Sequence, residues 1–299
     1  MSTLKKYSDW LFLKQWGLGF MKADIKEIIR ARKNGFTFQW LPIADKNTSY
    51  ADPFIFKTDD GHLNVLFESV TSFKLDGTIS LMVCDGSFNT VTEKTVLNNH
   101  AHLSYPFIFR ENGKTYVFPE NSLSGSLHCY EFDNNTRSLL NKKMIMDLPL
   151  IDPTILKYKN KYWLFCTMLG EQLNSELYIY YADSLTGPYF AHKKNPVKSG
   201  LNGTRPAGNF IEVDGQIYRP SQNCANYYGE SITINKITGL SETEFSEEEH
   251  MSIHSNPHDK FNDGIHTINI LDDIIIVDGQ KRHFQPIQQL GRKLKNIFN

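Results

Sequence analysis

Asp52, Tyr105, Asp152 and Arg205 each stand immediately before a proline, in "ADPFIF", "SYPFIF", "IDPTIL" and "TRPAGN". The prolines recur at 53, 106, 153 and 206, and "GIHTINI" puts His266 at the matching point of a fifth unit that has no proline. Two acids, a phenol, a guanidinium and an imidazole at one repeated position form a set able to do chemistry. Each anchor opens a strand, a polar turn and a second strand. In an antiparallel hairpin the end of the second strand lies beside the start of the first. That places Glu68 beside Asp52, Glu120 beside Tyr105, Thr167 beside Asp152, Gln222 beside Arg205 and Asp278 near His266. If the five units share one axis, these residues meet in one ring. Clustered carboxylates push their pKa values apart, as acid/base work requires. Two carboxylates across a cleft suit glycosidic-bond chemistry, one protonating a leaving oxygen and one activating a nucleophile. Tyr105, Trp163, Tyr227 and Tyr228 are aromatics suited to stacking on sugar rings.

The cations add a second feature. Arg205 sits at an anchor, and "RPSQN" supplies Arg219, Gln222 and Asn223, all rich in donors for hydroxyls or phosphate. They are expected to clamp an anionic substrate group. The alternative is that the arginines pair with the acidic ring and hold neighbouring units together. A single Asp before Pro is commonly a turn residue, so the site rests on the whole set sharing one rim.

Such a ring needs a scaffold that repeats. The turns are Asp59-Asp60-Gly61, Asn112-Gly113, Lys159-Asn160, Asp214-Gly215 and Asp272-Asp273. Asn-Gly and Asp-Gly between apolar runs are strong hairpin signals. Further strands follow before the next anchor, among them "GTISLMVCD", "SLHCYEFD" and "ELYIYYAD". Four short strands in about fifty residues make one propeller blade. The expectation is an all-β, five-bladed β-propeller over residues 37–282, flanked by segments 1–36 and 283–299. A β-sandwich would not keep five hairpins in phase. In the first flank, "MKADIKEIIRARKNG" predicts a short helix with Ile25, Ile28 and Ile29 on one stripe and Gly35 as its stop. "TFQWLPI", residues 37–43, is the candidate strand that closes the ring. The tail "IQQLGRKLKNIFN" is basic and amphipathic, suited to a helix packed on the propeller or to peripheral contact with a membrane surface.

Composition narrows the classes. Net charge is −1, so no global field favours nucleic acid or an anionic membrane. Aromatics are 13% of the chain, which leans towards strands. Cys84, Cys129, Cys166 and Cys224 form no CxxC pair and read as free buried thiols of a reducing compartment. No signal peptide or membrane-spanning run is evident, and a soluble, cytoplasmic protein is expected. "HSNPH" carries two histidines four apart, but Pro257 breaks the helix a zinc site of that spacing needs. There is no P-loop, no GxGxxG and no serine nucleophile elbow. No cofactor is expected; a structural divalent cation in the channel is the one metal left open.

These motifs resemble a known family. "ADPF", "SYPFIF", "ENGKTYVFPE", "DPTILKYKNKYWLF", "RPAGNF", "GQIYRPSQN" and "GIHT", with "KQWGLGF" and "WLPI" before them, resemble the N-terminal domain of plant glucosamine inositolphosphorylceramide transferases and its stand-alone bacterial relatives. The resemblance covers about residues 10–280. It implies a five-bladed propeller related to arabinanase, β-xylosidase and invertase glycosidases. In the plant proteins it implies a separate C-terminal glycosyltransferase domain, which this chain is expected to lack. The glycosidase relatives use a blade-one Asp as base or nucleophile, which Asp52 matches. They use a blade-three Asp to tune the acid or hold substrate, which Asp152 matches. Their acid is a blade-four Glu, and here that place reads "RPAG", with Arg205. Glu120 is the nearest substitute in the ring.

The expected function is therefore action at a glycosidic centre in glycan or glycolipid assembly, by sugar transfer. Hydrolysis by the same carboxylates and non-catalytic glycan binding are the rivals. Asp52 is read as base, Glu120 as acid and Asp152 as positioner. Glu68, Tyr105, Arg205, Arg219, Gln222, Asn223, Tyr228 and His266 are read as substrate contacts.

Overall fold

The computed structural model describes residues 12–286 apart from Ala44, Ser72 and Phe73. The basic tail expected over 287–299 lies outside the described residues.

Five antiparallel sheets surround one axis. The first strand in the chain, β1 (Phe12–Lys22), and the short β2 (Gln39–Trp40) belong to the last blade. Blade one is β3 (Thr48–Lys57), β4 (Leu63–Thr71), β5 (Lys74–Cys84) and β6 (Thr90–Leu97). Blade two is β7 (Ser104–Glu111), β8 (Lys114–Glu120), β9 (Leu127–Asp133) and β10 (Ser138–Met146). Blade three holds β11 (Leu150–Tyr158), β12 (Lys161–Met168) and β13 (Glu176–Ala182), edged by β14 (Phe190–Ala191) and β15 (Lys198–Ser199). Blade four is β16 (Asn202–Pro206) and β17 (Ile211–Val213), then β18 (Gln216–Asn223), β19 (Ser231–Leu240) and β20 (Phe245–His254). Blade five begins with β21 (Gly264–Leu271) and β22 (Ile274–Phe284) and takes β1 and β2 as its outer strands.

This corrects the expected N-terminal flank. β1 pairs with β22 along its whole length, Phe12 opposite Phe284 and Lys22 opposite Ile274. The ring is therefore closed mainly by residues 12–22. The anticipated closing strand contributes only Gln39 and Trp40 at the outer edge, against Phe20 and Gly19. Between them the helix α1 (Ile25–Ala31) is capped by Asp24, whose side chain accepts from Lys26 N at 2.8 Å. Ile25, Ile28 and Ile29 are buried in one stripe, as their spacing predicts. The helix stops at Arg32, which takes the left-handed conformation itself (φ 50°), three residues before Gly35.

The hairpin turns follow their residues. Asn112-Gly113, Lys159-Asn160 and Asp214-Gly215 all have positive φ at both positions, as a two-residue turn matched to strand twist requires. Large apolar side chains fill the spaces between blades, with Phe54, Tyr105, Phe107 and Phe118 in one cluster and Ile232, Ile268, Ile275 and Val277 in another.

Each inner strand breaks register at its anchor. The shifts fall between Ala51 and Phe54, Ser104 and Phe107, Ile151 and Thr154, Asn202 and Pro206, and Ile265 and Ile268. Asp52, Tyr105 and Asp152 have φ of 51°, 40° and 50°, the bulge residue held in a left-handed conformation. The proline that follows has no N–H to lose at the interrupted ladder. The polar-residue-proline step is thus a repeated bulge, and a bulge re-aims a side chain away from the sheet face.

Candidate functional site at the propeller mouth

The bulges turn their side chains onto one buried ring. Asp52 is 4% exposed, and its Oδ1 accepts from Thr267 Oγ1 at 2.7 Å and lies 3.3 Å from His266 Nε2. His266 Nδ1 meets Asp278 Oδ1 at 2.8 Å, so the imidazole bridges two carboxylates. Asp278 Oδ2 also accepts the backbone N–H of Asp52, at 2.9 Å. The same device recurs between blades two and three, where Glu120 Oε2 accepts the backbone N–H of Asp152 at 3.1 Å. Each carboxylate holds the strained anchor of the next blade, which fixes the anchor's aim. The other oxygen of Glu120 accepts from Ser122 Oγ at 2.8 Å.

Asp152 is paired with a cation. Arg205 Nε donates to Asp152 Oδ2 at 2.5 Å and Nη2 donates to Oδ1 at 3.4 Å, while Nη1 reaches Asn174 Oδ1 at 3.0 Å. Gln222 Nε2 adds a bond to Asp152 Oδ2 at 2.9 Å and a second to Pro206 O at 3.0 Å. Tyr228 covers the guanidinium, its ring centre 5.0 Å from Cζ. The Arg205 side chain is 12% exposed, and Tyr228 and Trp16 are half-buried, so all three reach solvent at the edge of the ring. Trp16 lies 4.1 Å from the His266 ring, centre to centre. Gly229 is needed beside it, because a Cβ there would fall 2.5 Å from the indole, and its φ is 73°.

Burial dominates the electrostatics. It pushes Asp52 up to about 6, with Asp152 and Asp278 adding to the rise and His266 opposing it. Burial, then the Asp152 carboxylate, pushes Glu120 up to about 8 against the pull of Arg205. Burial, with Asp52 and Glu120 next, holds Glu68 well above the carboxylate range. For His266 burial disfavours the charged ring, but Asp278 and Asp52 outweigh it and the pKa rises. Near neutral pH an ionised Asp52 and a protonated Glu120 therefore share the ring. Two carboxyl groups with opposite protonation are the parts of an acid/base pair.

Asp52, His266 and Asp278 also offer three ligand atoms within 4.8 Å of one another. Their contacts are mutual, with the imidazole bonded at both nitrogens. A divalent cation held there would have to break these mutual bonds and complete its coordination with other ligands. The set fits a hydrogen-bonded triad better than a divalent cation cage.

Some expected contacts lie elsewhere. Arg219 is 1% exposed and faces away from the ring, Nε and Nη2 on Glu247 at 2.8 and 2.6 Å, with the remaining bonds to the carbonyls of Gly203 and Thr204. It ties strands of blade four to one another, bonding neither to the acidic ring nor to a neighbouring blade. Tyr105 is fully buried, its hydroxyl 2.8 Å from Thr154 Oγ1 and accepting from Gly208 N at 2.7 Å, so it is a strut across the channel. Trp163 is buried against Tyr181 with Nε1 on Tyr158 O. Asn223 turns its own loop, Nδ2 on Ser231 Oγ and Oδ1 accepting from Ala225 N. Glu68 is buried at the blade-two side, 3.5 Å from His102 Nε2. Trp16, Asn174, Thr267 and Ser122 were not foreseen. Trp16 and Thr267 stand inside quoted motifs, "KQWGLGF" and "GIHT", whereas Asn174 lies in an ordinary turn with no signal.

By fold the chain is a five-bladed propeller, with carboxylates gathered in one buried ring, and that fold is shared with propeller glycoside hydrolases. It superposes on an exo-1,5-α-L-arabinanase from a bovine ruminal metagenomic library with a TM-score of 0.51, at 15% identity over 69% of this chain and 79% of that one. It superposes on Zg3597, a family 117 glycoside hydrolase of Zobellia galactanivorans, with a TM-score of 0.54, at 12% identity over 93% and 92%. Such identities speak for the fold alone. The chain belongs to the family described as glucosamine inositolphosphorylceramide transferase 1, N-terminal, which residues 42–269 match. It is 35% identical over 220 residues to glucosamine inositolphosphorylceramide transferase 1 of Arabidopsis thaliana, covering 72% of this chain and 28% of that protein. The chain thus spans under a third of the length of that relative.

Proposed function

We propose that the chain acts on a sugar at a glycosidic centre in glycolipid assembly, by sugar transfer, at the propeller mouth. The name of the family supports the class of reaction. The observation that carries the reading is the split protonation of Asp52 and Glu120 within one buried ring. Asp52, ionised above about 6, is the base towards an acceptor hydroxyl. Glu120, protonated below about 8, is the acid towards a leaving oxygen. Asp152 positions both by holding Arg205. A guanidinium carries five N–H groups, and the three bonds to Asp152 and Asn174 leave one on each terminal nitrogen for an anionic or sugar oxygen. The four buried free cysteines suit a reducing, cytoplasmic setting.

A second reading is glycan binding without turnover. The resemblance implies an acid at the blade-four anchor where Arg205 stands, and Arg205 pairs with Asp152. One experiment separates the readings. The purified chain is incubated with sugar-nucleotide donors and a soluble inositol-phosphate acceptor, and separately with aryl glycosides. Transfer that disappears in Asp52→Asn and Glu120→Gln supports the proposal. Release of free sugar without an acceptor makes it a hydrolase. Saturable glycan binding with no turnover, unchanged in both variants, leaves a binding module.

A further inference from the structure

The exposed apolar side chains of this propeller are not scattered evenly. Among the described residues nine large ones are more than a third exposed. Five of these, Leu123, Leu169, Leu201, Tyr227 and Phe284, belong to the face that carries the ring. Topology places them there. Leu123 follows the end of β8, just beyond Glu120, and Leu169 follows the end of β12. Leu201 precedes the start of β16, and Tyr227 lies in the loop after β18. Phe284 ends β22, opposite the first residue of β1 and 5.4 Å from the ring of Phe12. The other four lie on the outermost strands of blades one to three, with Val91, Leu140 and Phe190 towards the ends remote from the ring. At 63% and 64% exposure, Leu123 and Phe284 are the most open of the nine.

Cations stand at one edge of the same face. Lys14, on β1 beside Phe12, and Lys46, before β3, are exposed. Burial first, then Lys281 and Lys46, hold His283 below its ordinary pKa, which puts both lysines around the strand end that carries Phe284. The sequence beyond Pro286 continues with Leu290, Arg292, Lys293, Leu294, Lys295, Ile297 and Phe298. Exposed apolar side chains around a rim, with cations beside them, suit an interface: the apolar groups enter the headgroup boundary and the cations meet anionic lipid.

We infer that the mouth face is a docking surface for a lipid bilayer bearing anionic headgroups, which presents the ring to the sugar headgroup of a membrane lipid. The inference rests on the reading of the mouth as a glycolipid-directed site. It gives the rim a reason that a soluble glycan would not: an oligosaccharide needs no apolar side chains standing proud of the loops around the mouth.

The test is co-sedimentation of the full chain with vesicles of phosphatidylcholine alone and with about one-fifth phosphatidylserine. The expected result is binding that strengthens with phosphatidylserine. The paired substitution Leu123→Ser with Leu201→Ser, and Phe284→Ser alone, should each weaken it by about three- to tenfold. The control pair Leu140→Ser with Met144→Ser, on the outer strand of blade two, should leave it unchanged. All these side chains are exposed, so the fold is spared. The inference is overturned if the parent chain does not bind either vesicle. It is also overturned if the rim variants bind like the parent while Arg292→Glu, Lys293→Glu and Lys295→Glu in the full chain abolish binding, because then the tail alone docks. Turnover of a water-soluble acceptor is read on the same preparations. Vesicle binding without turnover refutes only the sugar-transfer reading, and turnover without vesicle binding refutes only this one.

Discussion

Replacing Glu120 by Gln should stabilise this protein, and only at high pH. The carboxyl is 4% exposed, with Oε2 accepting from Asp152 N and Oε1 from Ser122 Oγ. Burial and Asp152 push its pKa from an ordinary 4.5 to about 8. Below the ordinary value the group is neutral in both folded and unfolded chains and contributes nothing to pH dependence. Between the two values the folded chain holds a proton that the unfolded chain has released, so stability falls as pH rises. Above about 8 the loss is complete. At 1.36 kcal/mol for each tenfold change in proton affinity, it amounts to about 4–5 kcal/mol. A Gln side chain keeps the shape, its oxygen still accepts from Asp152 N, and its amide donates to Ser122 Oγ, yet it does not titrate. The assay is thermal or urea unfolding of parent and Glu120→Gln from about pH 5 to about pH 9. The two should match near pH 5 and diverge above it, the variant gaining on the order of 10 °C in Tm by pH 9. Parallel curves for the two proteins would refute the argument, because they would mean that Glu120 is already ionised in the native ring.

Further outcomes follow from the same geometry. The rate of sugar transfer should be bell-shaped, rising as Asp52 ionises through about 6 and falling as Glu120 deprotonates through about 8, and Asp52→Asn should lower kcat by about 10²–10⁴-fold. Arg205→Ala leaves Asp152 buried without its cation and should cost about 3–5 kcal/mol in urea unfolding, an effect Arg205→Lys recovers in part. Tyr105→Phe removes the acceptor for the buried Gly208 N–H and should cost about 1–3 kcal/mol, without altering the KM for a sugar, since the phenol is a strut and not a contact. Trp16→Ala should do the reverse: it should weaken substrate binding more than it destabilises the fold, read as a change in KM beside a small change in Tm.

The blades were legible because their signals are local. An Asn-Gly or Asp-Gly pair imposes its turn wherever it lies, and a proline after a polar residue marks an interrupted ladder in one strand. Four prolines and five polar turns in phase leave little choice of architecture, and they also locate Asp52, Asp152 and, by its spacing, His266. What was not legible depended on pairing across the chain. β1 carries no turn or cap that assigns it to the last blade; it is placed by alignment of Gly17 with Gly279, and a reading that moves along the chain takes it for a flank. Arg219 is a different case, because a local rule would have placed it. Side chains alternate faces along a strand, so Arg219 and Gln222, an odd number of positions apart on β18, point opposite ways. Once Gln222 is given to the ring through its anchor partner, Arg219 must face the other side, where Glu247 receives it. Donor-rich composition suggested a clamp, and strand parity decides against it. Arg205, held by Asp152 and covered by Tyr228, is left as the arginine of the mouth.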